Sequence, residues 1–416
     1  MEKNRVCKKS LIALFIILWS ALAARMLVGV LYFNTFDTFW YRNWAFDLPN
    51  GLFDVYTRAE EISLDYPPLY LFCLYLTGWA YRFFGYNCGA FMQMFLMKFW
   101  PVVFDVCCTL MVYIAARKWS ETGALFAAAL WASNPSVFFN TAFWGQTDAL
   151  MAFLLIAAFY LADTEKPVWA CVMFAVAGLT KYQSLFFTPV LLIFIFRRFG
   201  IKRLLYGIGA AAGTVAAVFL PFMIGAHNPF LFFKVYLGGV GTYKYLTFNA
   251  YNIYGLLSLN TVDDSTPIIG GFNFIHLNFI VLAAIVAFVC YLVLKGKRYD
   301  IYVGALLIMQ CVFMLSTRMH ERYQMVVLPF ALLSFIRTRE KGFAWQFVWL
   351  TLITLINQAV ILLNVNFDVS YESYMPQIMQ IFSALNLAVF IHTVYVCTKF
   401  FMKGDVKNDL HSTKEA

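Results

Sequence analysis

Apolar stretches recur from one end of the chain to the other, each closed by a polar turn or a short basic cluster. The first covers residues 11–33. Others fall at 91–116, 121–139, 147–162, 167–181, 184–197, 204–224, 276–294, 301–317, 323–336, 345–364 and 378–399. A helix needs about 20 apolar residues to cross a bilayer, so the pattern predicts an all-α integral membrane protein with about 12 transmembrane helices. The runs at 167–181 and 184–197 are short for a perpendicular crossing, and they mark either a locally thin protein or half-spans lining a cavity. The stretch from Leu69 to Phe84 differs from the rest: it contains Gly78 and Arg82 and follows Pro67-Pro68, which forces an extended approach.

Charge decides how that stretch sits. If it lies along the interface, most of the 31 basic residues share one side. These are Lys3, Arg5, Lys8 and Lys9, Arg117-Lys118, Lys166, Arg197-Arg198, Lys202-Arg203, Lys295, Lys297-Arg298, Arg337, Arg339, Lys341 and the C-terminal lysines. If it crosses, every later loop inverts, against the tendency of basic loops to stay in the cytoplasm. The non-crossing arrangement predicts cytoplasmic termini and a single polytopic domain over 1–400 with a short tail at 401–416. It also predicts long outer loops at 34–90, carrying interfacial helices, and 225–275, with a shorter one near 365–377. The first run is too long for a signal peptide and lacks a small-residue cleavage site, so it reads as a retained anchor.

Composition narrows the class further. With 62% hydrophobic and 13% charged residues, a soluble globular domain is excluded. The net charge of +9 sits in short loops, where it reports orientation and implies no nucleic-acid partner. Nine cysteines, most inside apolar runs, offer neither zinc spacing nor a secreted disulfide framework. No metal and no cofactor are expected, and no Walker loop, G-x-G-x-x-G, H-E-x-x-H or serine-hydrolase elbow occurs.

Polar residues that orientation does not explain gather on the outer side. Asp37 follows the first span among aromatics, where partial withdrawal from water suits a general base; the plainer reading is a solvated loop aspartate like Asp47 or Asp54. Asp65-Tyr66-Pro67-Pro68 makes a rigid corner, with Asp65 able to cap the segment after it. Trp144-Gly145-Gln146-Thr147-Asp148 precedes a helix start. Asp148 is either its cap or, with Gln146, a partner for sugar hydroxyls beside a Trp144 stacking platform. Lys181-Tyr182-Gln183 ends a short apolar run, so Lys181 either snorkels or anchors an anion. Arg318, His320, Glu321 and Arg322 crowd a span junction, a grouping that suits a phosphate, against a hydrated hinge in which Glu321 pairs with an arginine. Inside the membrane, Lys98 and Asp105 share a helix face and are expected to bridge to each other or to Arg25.

Taken together, an acidic residue after the first span, D-Y-P-P-L at 65–69, W-G-Q-T-D at 144–148 and H-E-R at 320–322 resemble the motifs of GT-C fold glycosyltransferases. The likeness runs over about residues 11–340 and is nearest to bacterial mannosyltransferases related to the second GPI mannosyltransferase and to the dolichyl-phosphate-glucose-dependent glucosyltransferases. It implies a hexosyltransferase that moves mannose or glucose from a polyprenyl-phosphate donor to a lipid-linked or membrane-proximal acceptor. Asp37 stands where the family has its base, Arg42 and Trp44 where the glucosyltransferases carry an arginine and a tryptophan, and Asp65, Tyr66 and His320–Arg322 on the family's other motifs. W-G-Q-T-D departs from the His, Gln and Asn of the glucosyltransferases, which tilts the expectation toward mannose. The implied reaction is an inverting, metal-independent displacement with Lys181, His320 and Arg322 neutralising the phosphate, with Gln183 among the donor-binding residues. Short loops favour a bacterial plasma membrane with the site outside the cytoplasm. Competing readings are a polysaccharide polymerase or lipid-glycan ligase using a lipid-diphosphate donor, and a transporter or flippase, which usually shows internal repeats and midplane sites.

Overall fold

The structure, a computed structural model, describes residues 8–31, 37–241, 243–367 and 375–403. Lys3 and Arg5, most of the loop near 365–377 and the tail beyond 403 lie outside the described residues. The chain is helical almost throughout: α1 (Lys8–Leu31), α2 (Asp37–Asp47), α3 (Pro68–Phe84), α4 (Ala90–Arg117), α5 (Glu121–Ala132), α6 (Pro135–Phe138), α7 (Asp148–Asp163), α8 (Pro167–Gly178), α9 (Thr188–Gly225), α10 (Leu231–Gly241), α11 (Ile253–Leu256), α12 (Phe274–Lys295), α13 (Ile301–Leu315), α14 (Leu328–Thr338), α15 (Lys341–Phe367) and α16 (Met375–Met402). Among the described residues, six stretches are long and apolar enough to cross a membrane: Lys8–Leu31, Ala90–Arg117, Tyr182–Gly225, Phe274–Lys295, Lys341–Asn364 and Met375–Met402. Shorter apolar helices fill the centre. In α13 every side chain from Ile301 to Met314 is buried, as expected of a helix apolar on all faces.

The helices differ from the sequence pattern in instructive places. The runs at 184–197 and 204–224 belong to one stretch, α9, broken at Gly200, whose φ of 77° and ψ of 174° leave the helical region. The run at 121–139 is divided at Asn134-Pro135, where Asn134 caps α6 through the amides of Ser136 and Val137. It continues into a π-helix over Phe139–Trp144 that ends at Gly145 in the left-handed region. In the loop at 34–90, α3 has 17 residues with Arg82 in its last turn, short of the roughly 20 of a perpendicular span. It packs so closely on α2 that a β-carbon at Gly78 would lie 2.0 Å from the Ala45 carbonyl oxygen.

Two ends of the bundle have opposite character. At one, Lys118, Arg198 and Arg337 converge on the buried Asp163, and Arg337 also reaches Asp300 at 2.9 Å. Basic clusters from separate loops therefore share an end. Asp163 closes α7, and Asp148, which opens it, lies about 22 Å away at 1.5 Å per residue, among the polar motifs. There a short parallel pairing joins β1 (Thr247–Phe248) in the loop at 225–275 to β4 (Met319–His320), while a separate antiparallel pair, β2 (Pro267–Ile269) and β3 (Phe272–Asn273), leads into α12.

Candidate active site

A cavity of about 590 Å³ opens at the polar end, walled by α2, the Asp65 corner, the segment after α8, α10 and the turn that precedes α14. That volume lies in the range of small-molecule sites. Of the residues the sequence singled out, Asp37, Asp65, Tyr66, Lys181, Gln183 and Arg322 line it together, although they come from four separate parts of the chain. Aromatic rings complete the wall: Trp40, Tyr41, Trp44, Tyr56, Tyr182, Tyr243 and Tyr323. Such rings suit the apolar faces of sugar rings, with hydroxyls left for the sugar's edge. Glu60 and Lys234 meet at the exposed rim, 3.6 Å apart.

Asp37 begins α2, and its carboxylate accepts a hydrogen bond from the Trp144 indole N–H through Oδ2. One turn on, Tyr41 exchanges a hydrogen bond of 2.8 Å with Tyr66 and donates to Gln146 Oε1 at 3.2 Å, locking the D-Y-P-P corner to the W-G-Q-T-D turn. The Tyr66 hydroxyl also lies 3.4 Å from Thr147 Oγ1. Tyr182 donates to the Asp65 carbonyl oxygen at 2.8 Å, so the short α8 delivers Lys181 and the corner to one wall.

The cations are held from behind by carboxylates. Lys181 Nζ donates to Asp148, which also accepts from Asn140 Nδ2 at 3.0 Å and lies 3.9 Å from Arg322 Nε. Arg322 donates to Glu321 Oε1 at 2.6 Å and sits over the Trp144 ring, 5.8 Å from its centre. Burial pushes the Glu321 carboxyl up, but the Arg322 guanidinium first, then the neighbouring His320 and a backbone hydrogen bond, more than reverse this and bring it to about 2. Both cations, so held, also line the cavity.

Asp65 behaves oppositely. Burial raises its carboxyl from 3.8 to about 6, partly offset by the charges of Arg322 and Lys181. A carboxyl raised on folding contributes stability that is complete below its unfolded pKa near 4 and is lost as pH rises through 6, so at pH 7 its ionised form opposes folding by up to about 3 kcal/mol. Asp65→Asn is therefore expected to raise the thermal unfolding midpoint at pH 7 and to change it little at pH 4; an equal rise at both would refute the burial effect.

Several expectations are corrected. Trp144, Gln146 and Asp148 are buried behind the cavity wall, so they brace Asp37, Tyr41 and Lys181 and do not present a stacking platform or hydroxyl partners. His320 is 3% exposed and packed among Tyr243, Phe248 and Tyr323, with ring centres 4.6–4.9 Å apart. Burial lowers its pKa, leaving a neutral imidazole that cannot serve as a third cation. Glu321, equally buried, is no hydrated hinge. Arg42 points away, to Gln93 at 3.2 Å and to the rings of Phe39 and Phe46. Arg318 reaches Asp264 of the loop at 225–275 at 2.6 Å. Trp44 and Tyr182 stood within the sequence motifs without a role of their own, while sequence reasoning missed Tyr41, signalled by the aromatic density around Asp37, and Lys234, which had no signal.

The chain matches the family model of glycosyltransferase family 87 over residues 64–317, more than half its length. It belongs to that family. No curated protein matches this glycosyltransferase. Among solved structures, ArnT from Cupriavidus metallidurans, crystallised with undecaprenyl phosphate bound, is similar over 93% of this chain and 77% of that one, at 14% identity and a TM-score of 0.52. At that identity the likeness carries the fold, and with the family it makes this chain a polytopic membrane glycosyltransferase of GT-C fold.

Proposed function

We propose that this glycosyltransferase moves a hexose, mannose or glucose, from a polyprenyl-phosphate donor to a lipid-linked or membrane-proximal acceptor outside the cytoplasm. The observation that carries the reading is the meeting of Asp37 with Lys181 and Arg322 on one aromatic-walled cavity. Asp37 takes the proton from the acceptor hydroxyl, whose oxygen attacks the anomeric carbon as the bond to the lipid-phosphate oxygen breaks. The configuration inverts, and the electron pair leaves with the phosphate. Lys181 and Arg322 stabilise the departing charge with donors pre-aimed by Asp148 and Glu321. A phosphomonoester leaving group needs no general acid, so the chemistry asks nothing of His320, and the reaction is expected to run without a metal.

The bound undecaprenyl phosphate of ArnT supports a lipid-phosphate donor here, as a parallel within one fold. The segregation of the basic loops to the Asp163 end supports a site on the opposite, extracytoplasmic side. Since Trp144–Asp148 stand behind the wall, their departure from the glucosyltransferase motif bears on how Asp37 and Lys181 are held and not on which sugar is chosen. Purified protein incubated with labelled polyprenyl-phosphate mannose, polyprenyl-phosphate glucose and a lipid-diphosphate glycan is expected to consume a monophosphate donor, at a rate unchanged by thorough chelation. Consumption of the diphosphate donor alone would favour a glycan ligase and overturn the proposal; loss of turnover on chelation would overturn the metal-free route.

A further inference from the structure

Two charges of α4, Lys98 and Asp105, brace the same π-helical turn from inside the bundle. Asp105 is taken by Arg25 and Trp131, with a further hydrogen bond of 2.9 Å from the Thr141 hydroxyl within the turn. Lys98, 1% exposed, donates from Nζ to the carbonyl oxygens of Ala142 and Phe143, 2.8 Å to each. Carbonyls at the end of a helix lack partners from the helix itself, and a cation there also meets the negative end of its dipole. The next residue is Trp144, whose indole holds Asp37. Gly145 comes after it with φ 79° and is packed between the Lys98 stem and Thr38, so that a β-carbon there would lie 3.3 Å from Lys98 Cγ and from Thr38 Cγ2.

We propose that Lys98 is a positioning residue for transfer: by holding the last carbonyls of the π-helical turn it sets the Trp144 indole against Asp37. Burying an ammonium is expensive unless its hydrogen bonds are made, and here they are made at the residues that aim Trp144. An apolar side chain would fill the same space without making these two hydrogen bonds, and the turn would lose that hold and be free to relax into ordinary helix. This inference rests on reading Asp37 as the base, so its test includes a measurement that does not depend on turnover.

The variants are Lys98→Met and, with every charge left in place, Gly145→Ala, which presses on the same stem. In protein labelled with ¹⁵N-tryptophan, the Trp144 indole resonance, identified by its disappearance in Trp144→Phe, is expected to shift in both. With the donor that the wild type consumes, kcat is expected to fall by about 10²-fold, as for a small misplacement of a reacting group, with KM for the donor little changed. Lys98→Met combined with Trp144→Phe should be no slower than Trp144→Phe alone. An unmoved resonance in both variants overturns the assignment, and so do losses that multiply in the double variant. If Lys98→Met does not fold, Gly145→Ala decides by the same resonance. A moved resonance in protein whose wild type transfers no sugar supports the positioning geometry while sinking the proposed reaction.

Discussion

Asp37→Asn is expected to lower kcat/KM by between about 10² and 10⁴, the contribution of a positioned general base, while leaving the fold and donor binding intact. The amide keeps the shape of the side chain and an oxygen for the Trp144 indole, so the hydrogen bond at that contact survives and only the capacity to take a proton is lost. Thermal unfolding and donor affinity should therefore stay close to wild type. Turnover near the wild-type rate would remove Asp37 from the chemistry and shift attention to Asp65, the buried carboxyl on the same cavity wall.

The second large effect is expected at Arg322, and it has two parts. Arg322→Gln should slow transfer by about 10²-fold or more, since one of the two groups proposed to meet the leaving phosphate is gone. It should also destabilise the protein by about 3–5 kcal/mol, because Glu321 and Asp148 remain buried beside the missing charge. The sign with pH is set by Glu321. Its depressed pKa contributes stability that is present above the ordinary carboxylate range and lost as pH falls toward 2. In the variant that contribution disappears, so the stability deficit should narrow on acidification from pH 7 to pH 4. Adding Glu321→Gln to Arg322→Gln should restore much of the unfolding midpoint and none of the activity. Restored activity would mean that Arg322 acts only as a structural partner of Glu321.

The membrane character and the gathering of the polar motifs away from the basic clusters were legible because both are properties of linear pattern. Apolar length specifies a helix in a bilayer, and basic residues mark their loops without reference to any neighbour. Asp37, Asp65, Lys181 and Arg322 stood out for the same reason, being ionisable groups at the margins of apolar runs. The pairing inside the bundle was not legible. Lys98 and Asp105 share a face of α4, which suggested a bridge, yet Asp105 is taken by Arg25 from α1 while Lys98 turns to the carbonyls of the π-helical turn. A charged group can be placed on a helix face from sequence; its partner depends on which helix packs there.

The same distinction separates the wall of the site from the residues behind it. His320 and Arg322 are two residues apart and read alike as cations, but the parallel pairing of β1 with β4 turns His320 into an aromatic pocket and leaves Arg322 on the cavity. Burial then neutralises the one, while two buried carboxylates hold the charge of the other. Sequence by itself determined that this is an all-α membrane protein with its ionisable motifs gathered at one end, since hydropathy and charge act locally along the chain. Only the tertiary structure decided which of those groups face the cavity and which brace them, because desolvation and hydrogen bonding are set by neighbours that are distant in sequence.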